Sequence, residues 1–229
     1  MNPRINSMKH KLDEVISRHR IPFGFEGHGM RIRPVIFESE LEEIEQRYQV
    51  RFPDDYREFL LTIEDGGVGP GYGMQDVQSG ITYERTVTPD DILITPFEHQ
   101  APYNPKDDPK WCEIYAMDED RTTTDEEWEL LYEYLTAGTI VLCHEGCGYL
   151  HRLVVTGPSR GNVWMDGDVS DQGFLPMDID FLGWYERWLD DILAGGNGVW
   201  WMNNPEPTVN LSAPKKPLLQ RFFELLKRE

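Results

Sequence analysis

TIVLCHEGCGYLHRLVVTGPSRGNVWMDGD, residues 139–168, reads as three short strands joined by two glycine turns. Thr139–His144 and Tyr149–Thr156 are dense in β-branched and aliphatic side chains, which suit a pleated, half-buried surface. Glu145-Gly146-Cys147-Gly148 supplies the first reversal. Gly157-Pro158-Ser159-Arg160-Gly161 supplies the second and leads into Asn162–Asp166. Leu153-Val154-Val155 is apolar on both faces, as expected of a strand with a neighbour on each side. The expected fold class is α+β: a mainly antiparallel sheet, this central meander, with helices packed on it.

The flanks read mostly as helix and loop. Ile5, Met8, Leu12, Val15 and Ile16 repeat at helical spacing, so a helix is expected over 5–20, ended by Ile21-Pro22. Ser39-Glu40-Leu41-Glu42 has capping-box spacing ahead of the Leu41, Ile44 and Tyr48 stripe. Pro53-Asp54-Asp55 opens a further helix with Tyr56, Phe59, Leu60 and Ile63 on its buried side, closed by Gly66-Gly67. Val68–Met74 lacks the Lys-Ser/Thr ending of a phosphate loop and reads as a flexible surface loop. Ile92-Leu93-Ile94 is a candidate short strand inside a proline-broken insertion, expected over the sheet edge. Thr124-Asp125-Glu126-Glu127 is a second capping box, followed by a Trp128, Leu131, Tyr132 and Leu135 stripe. Asp178 or Asp180 caps the last strongly written helix, with Phe181, Trp184, Tyr185, Trp188, Leu189, Ile192 and Leu193 on one side. Its aromatics are expected against the underside of the sheet. Residues 214–229 form a cationic amphipathic stretch, a candidate for docking on the acidic body or on a second copy as a homo-oligomer contact.

Charge narrows the function. The chain has 22 basic and 41 acidic residues, a net charge of −19. Such a balance argues against nucleic acid or an anionic membrane as partner, because those are held by Lys and Arg. It suits a basic protein. Three cysteines, an odd number, fit a reduced cytoplasmic setting better than a disulfide scaffold, and the basic residues spread through 1–20 do not fit a signal peptide. Glu113–Glu129 is the densest patch, with eight acidic residues against Arg121.

Cys143, His144, Cys147 and His151 invite a metal or nucleophile reading. The second cysteine pair of a zinc site is missing, and strand alternation sends Cys143 and His144 to opposite faces. Asp166-Gly167-Asp168 is first a turn sequence. No catalytic residue, cofactor or metal is expected here, and a hydrolase built on Cys143, His144 and Asp166 is the weaker alternative.

Several separated motifs arrive in a familiar order. They are Phe52-Pro53-Asp54-Asp55-Tyr56-Arg57-Glu58-Phe59-Leu60 with Gly66-Gly67, then Gly69-Pro70-Gly71-Tyr72-Gly73. Next come Cys143–Gly148, Leu153–Gly157 and Gly161–Trp164, and last Phe181, Trp184, Tyr185, Trp188 and Leu189. Together they resemble the SUKH superfamily, the Smi/Knr-like domain. The likeness implies a SUKH-like domain over about 33–196 with an insertion at about 95–120. Residues 1–32 are then an N-terminal helix and loop, and 197–229 a linker and C-terminal helix. It implies no catalytic residues and two kinds of role. Bacterial members are similar to immunity proteins that neutralise polymorphic toxins, often nucleases; a eukaryotic branch consists of non-catalytic regulators of cell-wall synthesis. With the charge, the expectation is a cytoplasmic immunity protein for a basic protein toxin. Asp118, Glu119, Asp120, Glu126, Glu127 and Glu145 are its candidate contacts, chosen by charge clustering. A scaffold or regulatory module is the alternative.

Overall fold

Four strands run in sequence order across one antiparallel sheet: β1 (Thr139–His144), β2 (Leu150–Val154), β3 (Asn162–Asp166) and β4 (Phe174–Asp180). The structure, a computed structural model, describes residues 2–83, 85, 89–115 and 124–203, with side chains through Trp201. The helices among these residues are α1 (Pro3–Ser17), α2 (Phe25–His28), α3 (Glu38–Arg47), α4 (Asp54–Thr62), α5 (Val77–Thr82), α6 (Cys112–Tyr115), α7 (Asp125–Thr136) and α8 (Phe181–Leu193). No described helix is long and apolar enough to cross a membrane. The α+β architecture is as the sequence implies.

Each face of the sheet buries its own core. On one side Ile140, Leu142, Cys143, Leu153, Val155 and Val163 meet apolar residues of α1, α3, α4 and α8. On the other, Val154, Trp164 and Phe174 meet Phe97, Ile114, and Leu131 and Leu135 of α7. The two-faced burial follows from strand alternation along β2, all five residues of which are buried. Asp180 caps α8 by accepting from the Gly183 amide at 2.6 Å, and Trp184, Tyr185 and Trp188 are fully buried below it. The helix set apart in the sequence as an N-terminal extension is built into the same core through Ile5, Met8, Leu12 and Val15.

Several local readings are corrected. A fourth strand, β4, which the three-strand reading did not include, starts at Phe174, with Pro176 opposite Trp164. A proline is tolerated there because β4 is an edge strand. Its open side is met by the insertion: Tyr103 and Phe174 exchange backbone hydrogen bonds of 2.9 and 2.7 Å. Ile92-Leu93-Ile94 is a turn, not a strand, with Ile92 and Leu93 buried, Ile94 exposed and the Ile92 amide bonded to Pro89 O. α3 begins one residue before Ser39; Glu40, not Glu42, reaches back, accepting from the Phe37 amide at 3.2 Å. Trp128 is 41% exposed, so it lies off the buried stripe of α7.

The loop at 68–74 is the largest correction. It is buried except for Tyr72 and lies along the free edge of β1, where Tyr72 N donates to His144 O and Gln75 N to Leu142 O. Glycine permits this approach: a Cβ on Gly71, whose φ is +57°, would lie 2.3 Å from His144 O. The loop thus occupies the end of the β1 edge, while β4 is met from outside the sheet at Phe174.

Just before this loop sits a fully buried carboxylate. Glu64 accepts from Arg33 N at 3.2 Å, Val68 N at 3.1 Å and the Tyr185 hydroxyl at 3.2 Å. Burial outweighs these bonds and raises its pKa from 4.5 to about 7. Between those values the folded chain holds a proton that the unfolded chain has lost, so this group makes stability fall as pH rises through the interval. The full effect is on the order of 3 kcal/mol. Glu64→Gln is therefore expected to lose that slope, gaining roughly 3 kcal/mol on wild type between about pH 4 and about pH 8. Urea unfolding at stepped pH checks this, and parallel stability curves for the two proteins would contradict it.

Candidate functional site

α7 presents the surface that the charge argument singles out. Thr124 Oγ1 accepts from the Glu127 amide at 3.2 Å and Glu127 Oε2 accepts from the Thr124 amide at 3.0 Å, which fixes where the helix starts. Leu131 and Leu135 turn inward to the second core. Asp125, Glu126, Glu129 and Glu133 are all exposed on the outer side, and α7 contains no basic residue. Beside them Trp128 is 41% and Leu130 59% exposed. The Trp128 ring stands edge-on to Tyr115 at 5.2 Å, so the two ends that flank residues 116–123 lie side by side.

The expected contact residues separate on this geometry. Asp118, Glu119 and Asp120 lie outside the described residues. Glu126 is exposed in the first turn of α7, whereas Glu127 is half-buried and closes the cap. Glu145 is a correction. It is 3% exposed, with Oε1 facing Cys143 Sγ and His151 Nδ1 and Oε2 accepting from Trp201 Nε1. A carboxylate enclosed in this way cannot meet a partner's surface. Asp125, Glu129 and Glu133, not among those candidates, are exposed as well, and their i, i+4, i+8 spacing puts them on one helical stripe.

The residues that invited catalysis do not form a reactive set. Cys143 and His151 are both fully buried, so neither can meet a substrate. Burial, then the neighbouring Glu145 carboxylate, push the Cys143 thiol well above its ordinary range. A thiol so shifted is a poor nucleophile. His144 lies elsewhere, accepting from the Gly146 amide at 3.0 Å and standing beside Tyr72. Asp166 is held by Arg152 at 2.7 Å on the opposite face. Cys143, Glu145 and His151 nevertheless converge, with ligand-type atoms all within 4.8 Å. A bulge in β1 is responsible: the register shifts between Val141 and Cys143, so that Cys143 rather than Leu142 pairs with His151.

No curated protein and no solved structure matches this chain significantly. A family model does, over residues 36–178, from α3 through most of β4 and including the whole β1–β3 meander. That span is more than half of the chain, which therefore belongs to the SMI1 / KNR4 family (SUKH-1), whose domains are generally non-catalytic immunity or regulatory modules.

Proposed function

We propose that this protein is an immunity protein that binds a basic, nuclease-type protein toxin and covers its substrate cleft with the acidic outer face of α7. The observation that carries the reading is that face itself: Asp125, Glu126, Glu129 and Glu133 exposed together, without a basic residue in the helix. A nuclease holds a polyanion with Lys and Arg, so an anionic helix is complementary to the surface that the substrate occupies. Trp128 and Leu130 add apolar area within the charged field, the kind of anchor on which binding energy concentrates. Asp118, Glu119 and Asp120 extend the same run of charge in the sequence and remain candidate contacts.

The experiment is protection. Cells producing the toxin encoded beside this gene are expected to survive when the chain is co-produced, and the purified pair to form a complex in which nuclease activity is lost. Absence of both protection and complex formation would overturn the reading in favour of a regulatory module.

A further inference from the structure

The cluster beneath the β1–β2 turn brings three ligand-type atoms together within 4.8 Å. Trp184 Nε1 stands 3.2 Å from His151 Nδ1, a donor directed at this nitrogen when it carries its lone pair. His151 Nε2 is buried and has no hydrogen-bond partner among the described residues. Nδ1 also faces Glu145 Oε1 at 3.2 Å. Cys143 can offer its one thiol hydrogen to Oε1, at 3.3 Å.

We propose that Cys143 Sγ, Glu145 Oε1 and His151 Nδ1 are three ligands of a buried divalent transition-metal ion of the zinc class, which ties the β1–β2 turn to the two strands it joins. The Sγ–Oε1, Sγ–Nδ1 and Oε1–Nδ1 edges measure 3.3, 3.6 and 3.2 Å. Three ligands of a tetrahedral zinc, with bonds of about 2.0–2.3 Å, stand roughly 3.3–3.6 Å apart. One thiolate, one imidazole and one carboxylate form a borderline donor set of the kind zinc accepts, with the fourth position left to water. On binding, the ion displaces the thiol proton to solvent and takes the Nδ1 lone pair in place of the Trp184 N–H. The surroundings support the ligands: Trp201 Nε1 orients Glu145 through Oε2. Because the three side chains are almost wholly enclosed, the ion enters as the chain folds and its role is structural.

The test uses the full chain, unfolded in denaturant with a chelator and refolded with Co2+ as probe. The expected result is stoichiometric uptake with a thiolate-to-cobalt charge-transfer band and the intense visible bands of a tetrahedral ion. Cys112 is half-buried and Cys147 exposed, so C112S/C147S must keep the band and C143S must lose it. Should C143S fail to refold, retention in C112S/C147S still assigns the sulfur. A protein that refolds to its native near-ultraviolet dichroism without the band overturns the proposal, as does a band that disappears in C112S/C147S.

Discussion

Replacing Arg152 with alanine is expected to destabilise the fold by about 3–5 kcal/mol, the range for breaking a buried ion pair by removing one partner. Arg152 is 1% exposed on the α7 side of β2; its Nε donates to Asp166 Oδ2 at 2.7 Å and its Nη2 to the Tyr132 hydroxyl at 3.1 Å. These contacts tie β2 to β3 and to α7. Alanine leaves Asp166, itself 6% exposed, charged and facing an emptied space. One term works the other way. The Arg85 guanidinium, pushed down to about 10 by burial and then by Arg152, is relieved of a like charge when Arg152 goes. That relief keeps the loss within the range rather than above it. Arg152→Met with Asp166→Leu removes both charges and is expected to recover most of the stability, because the desolvation of both charges is avoided. Urea unfolding of the two single variants and the double variant measures the coupling. A loss below about 1 kcal/mol in Arg152→Ala would contradict the ion pair's role.

Reversing charge on α7 with Glu126→Lys, Glu129→Lys and Glu133→Lys is expected to slow association with the basic toxin about 10- to 100-fold at low salt, with a much smaller change in dissociation. Long-range steering acts before contact, and all three side chains are exposed, so folding stability should barely move. Trp128→Ala should show the opposite signature. It is expected to raise the dissociation rate on the order of 30-fold, as losing an apolar anchor worth about 2 kcal/mol would, and leave steering intact. Glu127→Ala is the internal control: it breaks the capping box and should lower stability by about 1 kcal/mol. Stopped-flow association and surface-plasmon dissociation separate these effects. If charge reversal acted on dissociation alone, steering would be excluded.

What could be read from the sequence divides along a physical line. Where local chemistry and tertiary context agree, the residues announced the structure. The bounds of β1 and β3 are as read, the Thr124–Glu127 box closes as drawn, and Asp180 caps a helix whose aromatics are all buried. Where a long-range contact overrides local propensity, they did not. Pro176 masked β4, since a proline enters a strand comfortably only at an edge that the sequence cannot display. The glycines at 69–73 looked like freedom and are instead close approach to β1.

The candidate site was half legible for a similar reason. Charge counting located α7 but could not tell an outward carboxylate from an inward one, so Glu145 was chosen and Asp125, Glu129 and Glu133 were passed over. The Cys143–Glu145–His151 convergence depends on one bulged residue in β1. Regular alternation from the same sequence would set Cys143 against Leu150 and keep it apart from His151.

The account turns on an anionic helix that meets a cationic protein, and the most direct measurement is the association rate constant with the adjacent-gene toxin as ionic strength is raised. Screening over about 10 Å at ~0.1 M salt should cut that rate by an order of magnitude or more between low and high salt, and the charge-reversed α7 variant should show almost none of the dependence. Fast association that holds level across the same salt range, or that is shared equally by the charge-reversed variant, would contradict it.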